Sequence, residues 1–418
     1  MLVLILFLLS VITLLNYRTC PDVRYPPFLV CVSWLLAIVL YSLAPIQIHT
    51  ISLVTALIFV VTVISFSVGG LLAFHNRKGS NDPFRGTERW DWRPAHPLLR
   101  AFFLMATVAM LPILFSHASE LAEQSGLEDI FMGLRTELSS NDSTGYGVLL
   151  TNAGLLSFFT TFLCAVELGR SFSSRAQYYL SLSVSLIYAV LSTGRMPMLL
   201  ILTVLMGVAL MRRRLTLTKM IAGSFIFLFF FASFAVLLHK GGDPDASWSE
   251  NSASVRDTFF IYAVGALPAF DRQVTQNIPL SFGARAFSGL FNIFYHLSGH
   301  KLISPIEEPV FVPFETNLYT GIQPVYGDFG ILGVVPAFVL MGAATTCFYV
   351  KATRGDPLHT LYYALTLFPL VTMPIADQYF MALSLWVRLF LSGYLYFRAS
   401  ARFSLEFPAP TGIRHEVS

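Results

Sequence analysis

Four arginines open the chemistry of this sequence. Arg195 follows Ser-Thr-Gly in LSTGRMPML, and Arg256, Arg272 and Arg285 fall within residues 239–324. A guanidinium is always charged and offers a planar fork of donors that matches a phosphate bidentately, so several converging arginines could clamp a diphosphate without metal. Each also has a plainer reading. Arg195 would serve as an interfacial side chain with its head in water, and the others would pair with Asp257 or Asp271. For proton transfer the preferred general base is Glu315, because activation of a hydroxyl needs a carboxylate or imidazole within hydrogen-bond reach. Tyr319 and Asp328 stand near it in FETNLYTGIQPVYGDFGILG, with capping of the following helix as the alternative role for Asp328. His296 and His300 have helical i, i+4 spacing, but HLSGH lacks the glutamate of a metalloprotease helix and holds Gly299. His296 is therefore read as a histidine near phosphate or hydroxyl, or a solvated one, and no metal or other cofactor is expected. Asp243-Pro244-Asp245 is read as a turn. Arg388, in SLWVRLFLSG, falls mid-span and calls for a partner or a wet cavity, with Asp377 the nearest acid.

The elements that must hold these groups are apolar. Of 418 residues, 55% are hydrophobic and 12% charged, and the mean hydropathy is +0.66. That charge fraction is about half that of a soluble domain, which makes an all-α polytopic membrane protein the expected fold class. Disorder, a disulfide scaffold and nucleic-acid binding are all disfavoured: hydrophobicity is high, the cysteines number four, and the net charge of +3 carries no basic, aromatic-interleaved stretch. Apolar runs near the length of a spanning helix predict eleven spans: 1–16, 27–44, 50–74, 98–117, 145–168, 176–192, 196–211, 220–238, 329–350, 358–376 and 379–397. The first has no basic n-region and is kept as a span. With the N-terminus outside and the C-terminus inside, clusters such as Arg77–Lys78 and Arg212–Arg214 fall on the cytoplasmic side. No internal repeat or inverted pair of broken helices is visible, which argues against a secondary transporter.

Domain organisation is expected to follow these spans: helices one to eight over 1–238, a large external loop over 239–324, helices nine to eleven over 325–397, and a cytoplasmic tail over 398–418. The large loop carries thirteen aromatics, five basic residues and eight acids, too rich a mixture for a linker. Within it VRDTFFIYAVGALPAFDRQV reads as an interfacial or re-entrant helix, and FSGLFNIFYHLSGH as a second amphipathic one. The aromatic faces suit a cavity for sugar rings or lipid, and plain packing would look the same. LEDIFMGL, within 118–144, could lie on the membrane surface, and Trp90 and Trp92 read as a headgroup-level anchor.

STGRMPMLLIL, IYAVGALPAFD and TNLYTGIQPVYGDFGILGVVPAFVLMG, in that order, resemble the bacterial O-antigen polymerase (Wzy) family, the oligosaccharide repeat unit polymerases. The resemblance covers most of the chain and is strongest over 185–345. It implies a glycosyltransferase-C-like fold in the bacterial inner membrane. The implied reaction joins undecaprenyl-diphosphate-linked oligosaccharide repeats en bloc on the periplasmic face, the growing chain leaving its lipid for a new lipid-linked repeat. By similarity Arg195 and Arg256 match the family's arginine positions best, with Arg285 and His296 looser; Glu315 has no family motif behind it. Membrane lipid and a separate chain-length regulator protein are the implied partners. An O-antigen ligase and a non-enzymatic flippase or transporter of lipid-linked sugars are the alternatives, the latter disfavoured by the scarcity of charges deep in the spans.

Overall fold

The computed structural model describes residues 1–45, 49–78, 97–124, 145–168, 172–194, 196–212, 256–257, 259–276, 279–292, 309–312 and 314–406. Their main helices are α1 (Leu2–Thr19), α2 (Pro26–Leu43), α3 (Leu53–Lys78), α4 (Pro97–Gln124), α5 (Gly145–Glu167), α6 (Phe172–Leu191), α7 (Met196–Met211), α8 (Ala266–Thr275), α9 (Gln323–Thr353), α10 (Pro357–Thr372) and α11 (Leu383–Glu406). A two-stranded antiparallel hairpin, β1 (Val310–Phe311) and β2 (Glu315–Thr316), precedes α9. Six of these helices, α1 to α5 and α9, are long and apolar enough to cross a membrane; α7 is apolar but shorter. The chain is an all-α multi-pass membrane protein. The expected span 220–238 lies outside the described residues, as do LEDIFMGL, Trp90, Trp92 and Asp243–Asp245. Prolines at the first turn, where no intrahelical N–H bond is needed, start α2, α9 and α10.

The chain divides into two compact units, Met1–Glu88 with Leu202–Arg388, and Arg89–Ile201 with Leu389–Ser418. In the first, α3 and α9 run side by side in the same direction. Near their starts, Phe59 stacks on Phe270 at 5.8 Å, and Phe270 meets Tyr326 at 5.3 Å. Towards their ends, Phe74 and Tyr349 both pack on Tyr25. The helices meet backbone to backbone. A Cβ on Gly69 would fall 1.9 Å from the carbonyl oxygen of Val339, and one on Gly342 would fall 2.0 Å from that of Phe66. Small residues at such a crossing let two helices gain dispersion contact where lipid supplies no hydrophobic drive.

At the Tyr349 end the polar groups close on one another. Asp22 takes the Arg24 guanidinium through both oxygens at 2.6–3.0 Å and accepts from the Tyr349 hydroxyl at 2.7 Å, while the Tyr363 hydroxyl donates to the Arg24 carbonyl at 2.6 Å. Burial alone would raise the Asp22 pKa, but the bonds from Arg24 and Tyr349 outweigh it and hold the carboxyl below its ordinary value.

The second unit is knitted by buried polar contacts. Ser185 shares its hydroxyl with Ser157 and Thr161, each at 2.8 Å, and the Tyr188 hydroxyl donates to the Thr107 carbonyl. Arg100 pairs with Glu167, both almost fully buried; Arg100 also donates to Gln177, and the Tyr396 hydroxyl donates to Glu167. Arg100 is a buried structural charge, because α4 begins three residues before it and packs it against Glu167.

Candidate functional site

The end of the first unit opposite Asp22 gathers α8, the turns of 281–292, the start of α9 and the segment linking α10 to α11. Asp328 organises it. Its carboxylate is fully buried and accepts from the Ser281 hydroxyl at 2.7 Å and from the backbone N–H groups of Arg285 and Ala286 at 3.0 and 2.7 Å. The Ser281 and Phe282 N–H groups donate to the carbonyls of Gly327 and Asp328. This holds Phe282 at a φ of 46°, a left-handed conformation that a side-chain-bearing residue keeps only when its surroundings over-determine it. Gly330, with φ 62°, breaks the helix geometry just after Asp328. Asp328 therefore does not start a span or cap its own helix, as the sequence suggested. It lies in the second turn of α9 and caps residues more than forty positions upstream. With its oxygens occupied by three donors, it is not free to act as a base.

Arg285 and Gln273 lie over Gly327. A Cβ there would meet Arg285 Cδ and Gln273 Nε2 at 2.9 Å and Arg285 Nε at 3.1 Å, so any side chain at 327 would push both aside. The Arg285 Nε donates to the Ser281 hydroxyl at 3.2 Å. Arg272 is next to Gln273 on α8, and its Nε is buried without a hydrogen-bond partner. The helix α8 is buried along nearly its whole length, which is too complete for a helix lying flat on a surface with a wet face. The burial of its Asp271 is met by the Ser52 N–H at 2.7 Å and His49 Nε2 at 3.3 Å, which tie the α2–α3 connection to it. Around this polar core stand exposed apolar side chains, Leu280, Phe282, Phe287 and Phe329.

The remaining expected residues divide. Arg256 is more than half exposed and its guanidinium engages the neighbouring Asp257, the plainer of its two readings. Glu315 is exposed on β2, and Tyr319 lies half-buried between β2 and α9. Arg388 is not mid-span: α11 begins at Leu383, so Arg388 lies in its second turn, exposed, with Nε donating to the Ser384 carbonyl. Asp377 does not serve it. The Asp377 carboxylate accepts the N–H groups of Tyr379, Phe380 and Met381, and burial still pushes its pKa up to about 6. Arg195 and His296 lie outside the described residues. Among the described residues no cluster of three metal-ligating side chains occurs. Sequence reasoning missed Gln273 and Gln323, whose significance is visible only as buried amides lacking partners.

No protein-family model matches the chain, and no solved structure matches it. It is similar to a protein of Shigella dysenteriae named O-antigen polymerase, 23% identical over 234 residues, which are 56% of this chain and 59% of that protein. The chain thus spans less than two thirds of the length of the curated relative it matches.

Proposed function

We propose that this protein polymerises undecaprenyl-diphosphate-linked oligosaccharide repeats into O-antigen or a related surface polysaccharide, as a metal-independent glycosyltransferase of the bacterial inner membrane. The observation that carries the reading is Arg285, its backbone held by Asp328 and its guanidinium by Ser281 at the start of α9, with exposed aromatic and aliphatic side chains nearby in sequence. The similarity to an O-antigen polymerase supports it. In this reading the Asp328 end faces the periplasm, the N-terminus is periplasmic and the C-terminus cytoplasmic. The parallel course of α3 and α9 agrees with that alternation. A glycosyltransferase-C-like arrangement and a separate chain-length regulator belong to the same proposal.

The chemistry asks for two devices. Breaking the glycosyl–phosphate bond leaves the bonding electron pair on the departing lipid diphosphate. Fixed guanidiniums of Arg285 and Arg272 stabilise that charge more in the transition state than in the ground state. The acceptor sugar hydroxyl forms the new C–O bond and gives its proton to Glu315, the proposed base, with His296 assisting at the phosphate. Holding both lipid-linked chains at one membrane surface supplies alignment.

Purified protein with lipid-linked repeats tests this. Arg285→Ala is expected to slow chain growth by about 100-fold, whereas Arg256→Ala, already paired with Asp257, is expected to change it less than about threefold. Deletion of the protein should abolish long chains and leave a single repeat on the acceptor. Chain growth that persists at wild-type rate in both Arg195→Ala and Arg285→Ala overturns the assignment.

A further inference from the structure

Beside Arg285 lies a set of buried polar atoms that the phosphate chemistry does not use. Gln273 is 5% exposed, and among the described residues both its amide oxygen and its amide nitrogen lack hydrogen-bond partners. Gln323 is 2% exposed with its Nε2 unpartnered, and Thr320 is fully buried with its hydroxyl unpartnered. These residues belong together. Gln273 reaches over Gly327, Gln323 stands one helical turn before Gly327 on the same face of α9, and the Gln323 N–H donates to the Thr320 carbonyl. Folded proteins leave few buried polar atoms unmatched, and two unmatched amides on one stretch of α8 and α9, with the Thr320 hydroxyl next to them in the chain, ask for a ligand that supplies the missing bonds.

The chemistry of that ligand is constrained. A primary amide donates and accepts but carries no charge, and a threonine hydroxyl does the same. Such a set suits a neutral group rich in hydroxyls or amides, and gives no preference to a second phosphate. The Arg285 guanidinium and the Gln273 amide flank the same point over Gly327. A ligand filling both would carry its anionic group next to its neutral polar ring.

We propose that Gln273, Gln323 and Thr320 form a sugar-recognition subsite that binds the glycosyl residue attached directly to the lipid diphosphate held by Arg285. The subsite rests on the polymerase reading above and deepens it. It assigns discrimination between repeat units to uncharged side chains of α8 and α9, because a site built to hydrogen-bond a hydroxyl rejects a ligand that lacks it.

Two probes separate the parts: undecaprenyl diphosphate without sugar, and the lipid-linked repeat extracted from cells lacking this protein. Both should raise the unfolding temperature of the purified wild-type protein, the second more than the first. Gln273→Leu and Gln323→Leu keep side-chain size while removing the amide. Both variants should fold with an unliganded unfolding temperature no lower than wild type and keep the response to undecaprenyl diphosphate. Each should lose the additional response to the sugar, with an affinity for the lipid-linked repeat about tenfold weaker. An undiminished sugar response in both variants overturns the subsite while leaving the polymerase reading standing. So does a lowered unliganded unfolding temperature with the sugar response intact, which marks the amides as structural. If neither probe affects the wild type, the polymerase reading fails, and the subsite with it.

Discussion

The two ends of the first unit use their polar side chains in opposite ways. At one end Asp22, Arg24, Tyr349 and Tyr363 bond to one another, so that charge meets charge and each hydroxyl named has its acceptor. At the other, Asp328 bonds to a hydroxyl and two backbone amides, while the amides of Gln273 and Gln323 keep atoms without partners. A closed polar clasp stabilises and is finished. An organised but unfilled one is a place where something else binds, because leaving a buried donor or acceptor unmatched costs about 1–3 kcal/mol each. In the proposed reading the difference separates scaffold from site, with the Tyr25 hydroxyl, packed beside Tyr349, the buried atom of the first end that lacks a partner among the described residues.

Four experiments sharpen or break that contrast. Asp328→Ala should have the largest effect, about 3–5 kcal/mol of lost stability, since it leaves the N–H groups of Arg285 and Ala286 without their acceptor, and chain growth should disappear with it. Detergent-denaturation curves and an in vitro growth assay measure the two losses; growth that survives would dissociate the site from this end. Arg24→Met should cost about 3 kcal/mol by leaving Asp22 without its cation. Chain growth per folded molecule should stay at the wild-type level, and a specific fall in rate would make the closed end catalytic. Tyr349→Phe removes the hydroxyl that donates to Asp22 and meets the Cys20 thiol at 3.7 Å, and should cost about 1 kcal/mol in the same unfolding assay, again with growth unchanged.

The smallest effect is the pH response. The folded-state pKa of Asp377, about 6, lies above its unfolded value of about 3.9. Protonation there favours the folded state, an effect complete below pH 4 and lost as pH rises through 6. Stability should therefore be higher at pH 5 than at pH 7 by about 1 kcal/mol, and Asp377→Asn should flatten that difference. Asp22 works in the other direction: its pKa is lowered, so its contribution is intact at both values and is lost only as pH falls below the ordinary carboxylate range. A stability that climbs steadily from pH 5 to pH 7 would contradict the environment described for Asp377.

What the sequence discloses and hides follows from the range of each interaction. Apolar stretches such as 50–74 and 329–350 are legible because hydropathy is a local property, and helices α3 and α9 cover them. The ends of helices are less so. Arg388 read as mid-span because 379–382 are apolar enough to extend the run, although three N–H groups there turn towards Asp377 instead. The task of Asp328 was hidden altogether, since its partners lie 42–47 residues upstream and two of them are backbone amides, which no side-chain pattern marks. Arg285 was found as a candidate by its chemistry; its companion Gln273 was not, because a glutamine in sequence carries no sign of burial. The glycines of the α3–α9 crossing were passed over for a related reason: Gly69 and Gly342 gain meaning only once 273 residues of separation have closed to contact.

That crossing has a bearing on what kind of machine this can be. Carriers that expose a substrate first to one side of the bilayer and then to the other need a seam along which helices rock or slide. Where Gly69 meets Val339 and Gly342 meets Phe66, main chain touches main chain, and no layer of side chains remains to re-pack as the helices shift. The pair acts as a rivet through the middle of the first unit. For the proposed polymerase, a riveted bundle is a fixed anvil rather than a turnstile.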